Sequence, residues 1–314
     1  MSRVWSRRSF LGLTAGAAAI LTACGAEKPG AVADDGSVTV THVFGETRIP
    51  APPTRVVSAG LTGADDLLAV GVIPIAVTDW FGGEPFGVWP WAAPRLGDAQ
   101  PVVLSLADGI PVEQIAGLRP DLIVATNAGL DEKTYARLAA VAPTIAQSGH
   151  DAFFEPWRDQ ATTIGQAVFR HDEMTQLIAD VDAKFGAVKD ANPGFAGRTA
   201  MLLPGTLDRD GVRLSGPGWH RDFLTAIGFS VPEIDDPLIP RDRMAEVLGS
   251  AEVLIWTTES DAEQAALLAD PVIATLTTNV FTGKELAGAI AYASTLSYPV
   301  VADKLPPLLA TVLG

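Results

Sequence analysis

Short apolar runs alternate along this chain with longer stretches whose apolar positions recur at helical spacing. Residues 55–58, 73–77, 122–125 and 144–146 predict strands buried on both faces, and 65–70 predicts a helix closed by Gly71. Strands without polar alternation, separated by helices, predict a parallel α/β sheet. Beyond residue 150 the period changes. Met174, Leu177, Ile178, Val181, Phe185 and Val188 mark one face of a helix of about twenty residues, roughly 30 Å long. Asn192-Pro193-Gly194 stops it. Strand-like runs then resume at 200–203, 253–256 and 280–281.

A weak internal repeat organises these elements. Ile110-Pro111-Val112-Glu113-Gln114-Ile115-Ala116 is matched by Ile239-Pro240-Arg241-Asp242-Arg243-Met244-Ala245. Each copy places proline at the start of a helix, where its missing N–H costs nothing, with an acid two residues on. Each runs into an apolar strand ending in threonine, Thr126 in one and Thr257 in the other. Either the match is chance, or the chain holds two similar α/β lobes on either side of the long helix. In the second case Glu113 and Asp242 are equivalent, one per lobe.

The first residues carry an address. Ser6-Arg7-Arg8-Ser9-Phe10-Leu11 reads as a twin-arginine export signal, and Leu21-Thr22-Ala23-Cys24 as a lipoprotein cleavage site. The apolar run between them is too short to span a bilayer, which takes roughly 20 residues. Residues 1–23 are therefore set aside as a leader, and 24–37 read as a flexible tether from a lipidated Cys24. The fold then divides into an N-terminal lobe at 38–151, a helical region at 152–192 and a C-terminal lobe at 193–314.

Charge narrows the partners. The net charge is −15, and loss of Arg3, Arg7 and Arg8 with the leader makes it more negative. That argues against nucleic acid, which needs a basic surface. Cys24 is the single cysteine, so its lipidation leaves no thiol for a disulfide, a zinc site or a nucleophile. Apolar residues make up 48% of the chain, enough for the core to hold it together.

In open parallel sheets ligands bind beyond the carboxyl ends of the strands. Those ends lead into Asp79-Trp80-Phe81, Thr126-Asn127, Pro204-Gly205-Thr206 and Trp256-Thr257-Thr258-Glu259. The loop from Asp79 to Trp91 gathers Trp80, Phe81, Phe86, Trp89 and Trp91 among glycines and prolines. It reads either as a stacking surface for a large flat ligand or as a small core beneath a long loop. The stretch 207–221 adds Arg209, Arg213, Trp219, His220 and Arg221, read either as bidentate anion ligands with a ring face or as surface charge on a β-hairpin. Tyr292 reads as packing, and Tyr298 as either cleft or core. His42, His150, His171 and His220 fall in no metal-binding spacing. No nucleophile elbow, phosphate loop or dinucleotide turn is present, so nothing points to catalysis.

The order of motifs resembles a known family. Pro53-x-Arg55-Val56-Val57, Asp66-Leu67-Leu68-Ala69-Val70-Gly71-Val72 and the run from Glu113 to Pro120-Asp121-Leu122-Ile123 are similar to the solute-binding lipoproteins of ABC importers for ferric siderophores, haem and cobalamin. Tyr135-x-x-Leu138 and Ala142-Pro143-Thr144 continue the likeness, which covers about residues 38–312. The loop Trp80–Trp91 and the ending Leu296-Ser297-Tyr298-Pro299-Val300-Val301 resemble a mycobacterial subgroup of iron-transport lipoproteins related to the ferric-citrate binder.

The resemblance implies two Rossmann-like lobes with parallel sheets joined by one long rigid helix, the class III periplasmic-binding-protein fold. It implies no enzyme activity and no resident cofactor. It implies a ferric siderophore as cargo, a monomeric protein lipid-anchored at the outer face of the cytoplasmic membrane, and an ABC permease onto which Glu113 and Asp242 dock. The shorter Asp242 departs from the glutamate usual in the family. The family varies its ligand residues with the ligand, so the expected cleft is taken from the strand ends and loops: Trp80, Phe81, Trp89, Trp91, Asn127, Arg209, Arg213, Trp219, Trp256, Glu259 and Tyr298. The alternative cargo is haem, with His220 or Tyr298 as iron ligand. An exported hydrolase is the reading from another class.

Overall fold

The computed structural model describes residues 30–149, 151–216, 218–234 and 237–314. The export signal, Cys24, the tether before residue 30 and His150 lie outside them.

An antiparallel hairpin of β1 (Val38–His42) and β2 (Gly45–Ile49) opens the described chain. Then follow β3 (Val56–Ser58), α1 (Gly63–Ala69), β4 (Ala76–Thr78), α2 (Ala93–Leu96), β5 (Val102–Leu104), α3 (Val112–Gly117), β6 (Leu122–Ala125), α4 (Glu132–Ala139) and β7 (Thr144–Ala146). The five later strands form one parallel sheet in the order β5-β4-β3-β6-β7. The chain enters at the central β3, winds outward to β5, then returns to β6 and winds the other way. The loops after β3 and β6 therefore flank the switch point, where a crevice forms in sheets of this kind. Val56, Val57 and the whole of β6 are buried, because helices cover both faces. The hairpin and the edge strand β5 are absent from the sequence reading. Edge position explains β5: Val102 and Val103 are exposed, and so short a run carries no period.

Two helices cross between the halves of the molecule, α5 (Trp157–Ala167) and α6 (His171–Ala191). The apolar face read from sequence is the buried one, and it serves two cores in turn. Met174 packs into the N-terminal core with Ile164 and Val168. Val181 and Phe185 pack into the C-terminal core with Phe223 and Leu305. At 21 residues α6 is about 30 Å long, which is what lets one element reach both.

The C-terminal half holds β8 (Ala200–Pro204), β9 (Gly211–Arg213), α7 (Asp222–Ala226), β10 (Leu238–Pro240), α8 (Met244–Gly249), β11 (Val253–Thr257), α9 (Asp261–Leu268), β12 (Asn279–Phe281), α10 (Lys284–Tyr292) and α11 (Ser297–Leu313). Its parallel sheet is smaller, in the order β12-β11-β8. β9 pairs antiparallel with β10, so Arg213 faces Leu238 in register rather than a partner strand within 207–221. The repeat has a structural counterpart. Pro111 precedes α3, which feeds β6, and Pro240 precedes a helical turn and α8, which feed β11.

Candidate ligand-binding cleft

The segment after β4 lies along the seam between the lobes. Its rings do not stand apart as a surface but interlock. Trp89 stacks on Trp91 at 4.8 Å, and Phe81 meets Trp89 edge-on at 5.3 Å. Tyr292, which ends α10 in the other lobe, touches Trp80, Phe81, Trp89 and Trp91 at 5.6 to 5.9 Å. Lys284 on the same helix donates to Gly82 O at 2.8 Å and to Glu84 at 2.6 Å.

Behind the rings runs a polar seam. Asp65 and Asp66 lie in the first turn of α1 and are buried. Asp65 Oδ2 accepts from Trp91 Nε1 at 2.8 Å and from Ser294 Oγ at 2.6 Å. Asp66 Oδ1 accepts from Thr295 Oγ1 at 2.9 Å, and its Oδ2 from Gln160 Nε2 at 3.0 Å. Ser294 and Thr295 belong to the turn between α10 and α11, so both acids reach across to the other lobe. Burial pushes Asp65 up to about 7 and Asp66 up to about 6, outweighing the hydrogen bonds that favour their ionised forms.

A third link holds the crossover. Asn127, in the left-handed region at φ 51, accepts from Phe154 N at 2.6 Å and donates to Thr62 Oγ1 at 3.1 Å. Phe154 is left-handed too, at φ 59, and its carbonyl accepts from Trp219 Nε1 at 2.7 Å. Its ring bridges Trp80 at 5.7 Å and His220 at 5.5 Å, while the neighbouring Phe153 stands 50% exposed. Such backbone strain persists only where the surroundings over-determine it.

What remains open is a pocket of about 260 Å³ walled by Trp80 and Phe81 on one side and by Thr257, Glu259, Ala287 and Ala291 on the other. It lies beyond the carboxyl ends of β4 and β11, one from each sheet. Larger hollows of about 580 and 660 Å³ lie beside the β1–β2 hairpin and beside α9. Neither is lined by an aromatic residue, and a third hollow of about 510 Å³ has Phe86 in its wall but is built from residues 84–99 of one lobe alone, so the smaller pocket, walled from both lobes, is the better candidate.

The structure thus brings Trp80, Phe81 and Glu259 together and removes others from the cleft. Trp256 is 0% exposed in the core of β11, its Nε1 donating to Asn279 Oδ1 at 2.9 Å. Tyr298 is 1% exposed, packed against Trp157, Phe185 and Phe223. Trp89 is 1% exposed and Trp91 is held by Asp65, so these two are seam packing rather than ligand contacts. Asn127 is buried and positions Phe154. Trp219 is half-buried against His220 at 4.0 Å. Arg213 pairs with Asp208 at 3.6 Å, and neither it nor the exposed Arg209 lines the pocket. His220 is buried, and desolvation lowers it to about 4. Neither His220 nor Tyr298 offers an iron ligand to the cleft surface. The Tyr298 hydroxyl has no hydrogen-bond partner among the described residues, so Tyr298→Phe will leave ligand binding unchanged and raise stability by about 1 kcal/mol, read by urea denaturation.

Glu113 and Asp242 sit at helix starts on the surface. Glu113 pairs with Arg137 at 2.6 Å with its side chain 85% exposed. The sequence reading missed Phe153, Phe154, Ala287 and Ala291 as cleft elements. Phe153-Phe154 ahead of Pro156 was a usable signal, being a loop aromatic pair after a predicted strand.

Residues 56–285 match the family described as periplasmic binding protein. The chain belongs to that family. Its two parallel sheets and the long α6 are the class III form of the fold, and its members are binding proteins, not enzymes. A periplasmic solute binding protein of Mycobacterium smegmatis str. MC2 155 is 66% identical, with a TM-score of 0.88 over 90% of this chain and 100% of that one. The Bacillus subtilis (strain 168) lipoprotein YfiY is 33% identical over 59% of this chain and 55% of its own length. This binding protein therefore spans little more than half of that relative. The Fe(3+) dicitrate-binding periplasmic protein FecB of Escherichia coli (strain K12) is 29% identical over 62% of this chain and 63% of its own.

Proposed function

We propose that this chain captures a ferric siderophore in the interlobe cleft and delivers it to an ABC permease of the cytoplasmic membrane. The observation that carries this reading is the pocket at the facing strand ends, walled by Trp80 and Phe81 against Glu259 and α10. Family membership and the iron chelate named for one relative support it. The protein does no chemistry on iron: the chelator fills the metal's coordination sphere, and the cleft holds the chelator. Lobe motion is small, because α6 is packed into both cores and a hinge there would break one of them. The export signal and a lipid on Cys24 keep the protein at the outer face of the membrane, beside its permease.

Tryptophan fluorescence quenching tests this reading against hydroxamate, catecholate, mycobactin-type and citrate ferric chelates, haem and cobalamin. Trp80 lines the pocket, so a bound chelate will quench it. Saturable quenching by a ferric chelate supports the proposal. A Soret shift with haem and no response to any chelate would replace it.

Docking rests on Glu113 and Asp242, exposed acids at matching helix starts in the two lobes. Glu113→Ala with Asp242→Ala will leave chelate affinity unchanged and abolish iron uptake by cells. Uptake at the normal rate by the double variant would sink that role.

A further inference from the structure

The pocket between the lobes carries a fixed negative charge. Glu259 lies in its wall, and its carboxylate makes no hydrogen bond or ion pair among the described residues. The remaining wall residues, Trp80, Phe81, Thr257, Ala287 and Ala291, are uncharged. The cations that could offset Glu259 are engaged elsewhere. Lys284 is held by Glu84 and Gly82 O and lies over the Trp89 ring at 5.5 Å. Arg213 is paired with Asp208, and the exposed Arg209 is not part of the wall. Asp79 adds to the same sign at the base of the ring cluster, where it acts on Tyr292, whereas Glu84 is offset by Lys284.

We propose that Glu259 makes the cleft select ferric chelates by charge, favouring an uncharged complex over an anionic one. This deepens the function proposed above and rests on it. Three hydroxamates cancel the charge of ferric iron, whereas three catecholates leave a trianion, and citrate complexes are also anionic. An anion brought against an unpaired carboxylate is repelled, and because Glu259 is exposed that repulsion weakens as salt is added. An uncharged chelate meets no such penalty. Its apolar backbone fits a wall of two rings facing two alanines, with Thr257 offering a hydroxyl at the edge.

The test uses the full-length protein with an uncharged ferric tris-hydroxamate, a ferric tris-catecholate and ferric citrate, read by tryptophan quenching. The native chain is expected to bind the hydroxamate at least about tenfold more tightly than either anion. Glu259→Lys is expected to move that ratio by about tenfold or more toward the anions, and Glu259→Gln to move it the same way by less. The glutamine variant keeps the test open if the lysine variant does not fold. Tighter binding of the catecholate or citrate by the native chain overturns the proposal, as does a ratio that neither substitution moves. Those outcomes leave siderophore capture standing. Failure to bind any ferric chelate removes that reading together with this one.

Discussion

The double variant Asp65→Asn with Asp66→Asn will gain thermal stability relative to the native chain as pH rises from about 5 to about 8, by on the order of 5 °C. Both acids are buried, and their folded values of about 7 and about 6 lie above the ordinary 3.8. Folding therefore favours their protonated forms. Their stabilising contribution is complete below the ordinary carboxylate value and is lost as pH climbs through the raised ones. Above about 7 the native chain holds two carboxylates beside each other in the seam, and the amide variant does not. Other groups titrate in this range. Glu155 is raised to about 6 by burial, whereas His42 and His220 are lowered by it and act in the opposite sense. These three are common to both proteins, so the difference between the two melting curves isolates the pair. A difference that stays flat with pH would show that the two acids do not carry protons into the fold.

Gly288→Ala will destabilise the protein by about 1–3 kcal/mol and weaken chelate binding, because its Cβ would force α10 away from Trp89. Gly288 faces the Trp89 indole from α10, and a Cβ there would stand 2.6 Å from Cζ3 and 2.8 Å from Cζ2. Trp89 cannot retreat: Trp91 is stacked on it, Phe81 meets its edge, and Gly82 approaches it from its own loop. The strain must pass to α10 itself. That helix carries Ala287 and Ala291, which form the pocket wall opposite Trp80 and Phe81. Overpacking at Gly288 thus changes the pocket's width without touching a residue that lines it. Urea denaturation and fluorescence titration of one preparation will read both effects. Full affinity alongside lost stability would separate the seam from the site.

Much of the architecture was legible without coordinates. The strands at 122–125 and 144–146 appear at the residues read from their apolar runs, and the face of α6 from Met174 to Val188 is the face that is buried. The site was harder to read. Trp256 and Tyr298 looked like cleft residues because one ends a strand and the other follows a loop, yet both are core. A strand covered on both faces buries its last residues as well, and α11 turns Tyr298 inward. In the sequence Asp65 and Asp66 stand near the start of the predicted helix, where its dipole favours acids. Only the opposite lobe, by supplying Ser294 and Thr295, makes them buried acceptors.

By itself the sequence determined the buried strands and the long helix, because helical period, apolar strands and proline-led helix starts act over a few residues. It also determined the sign of the charge and the repeat that sets one acid in each lobe. Only the tertiary structure decided which rings are seam and which are wall. Trp89 and Trp91 sit within a few residues of Trp80 and Phe81 and share their chemistry. What separates them is how closely α10 approaches, and that distance depends on Gly288, some two hundred residues further along the chain.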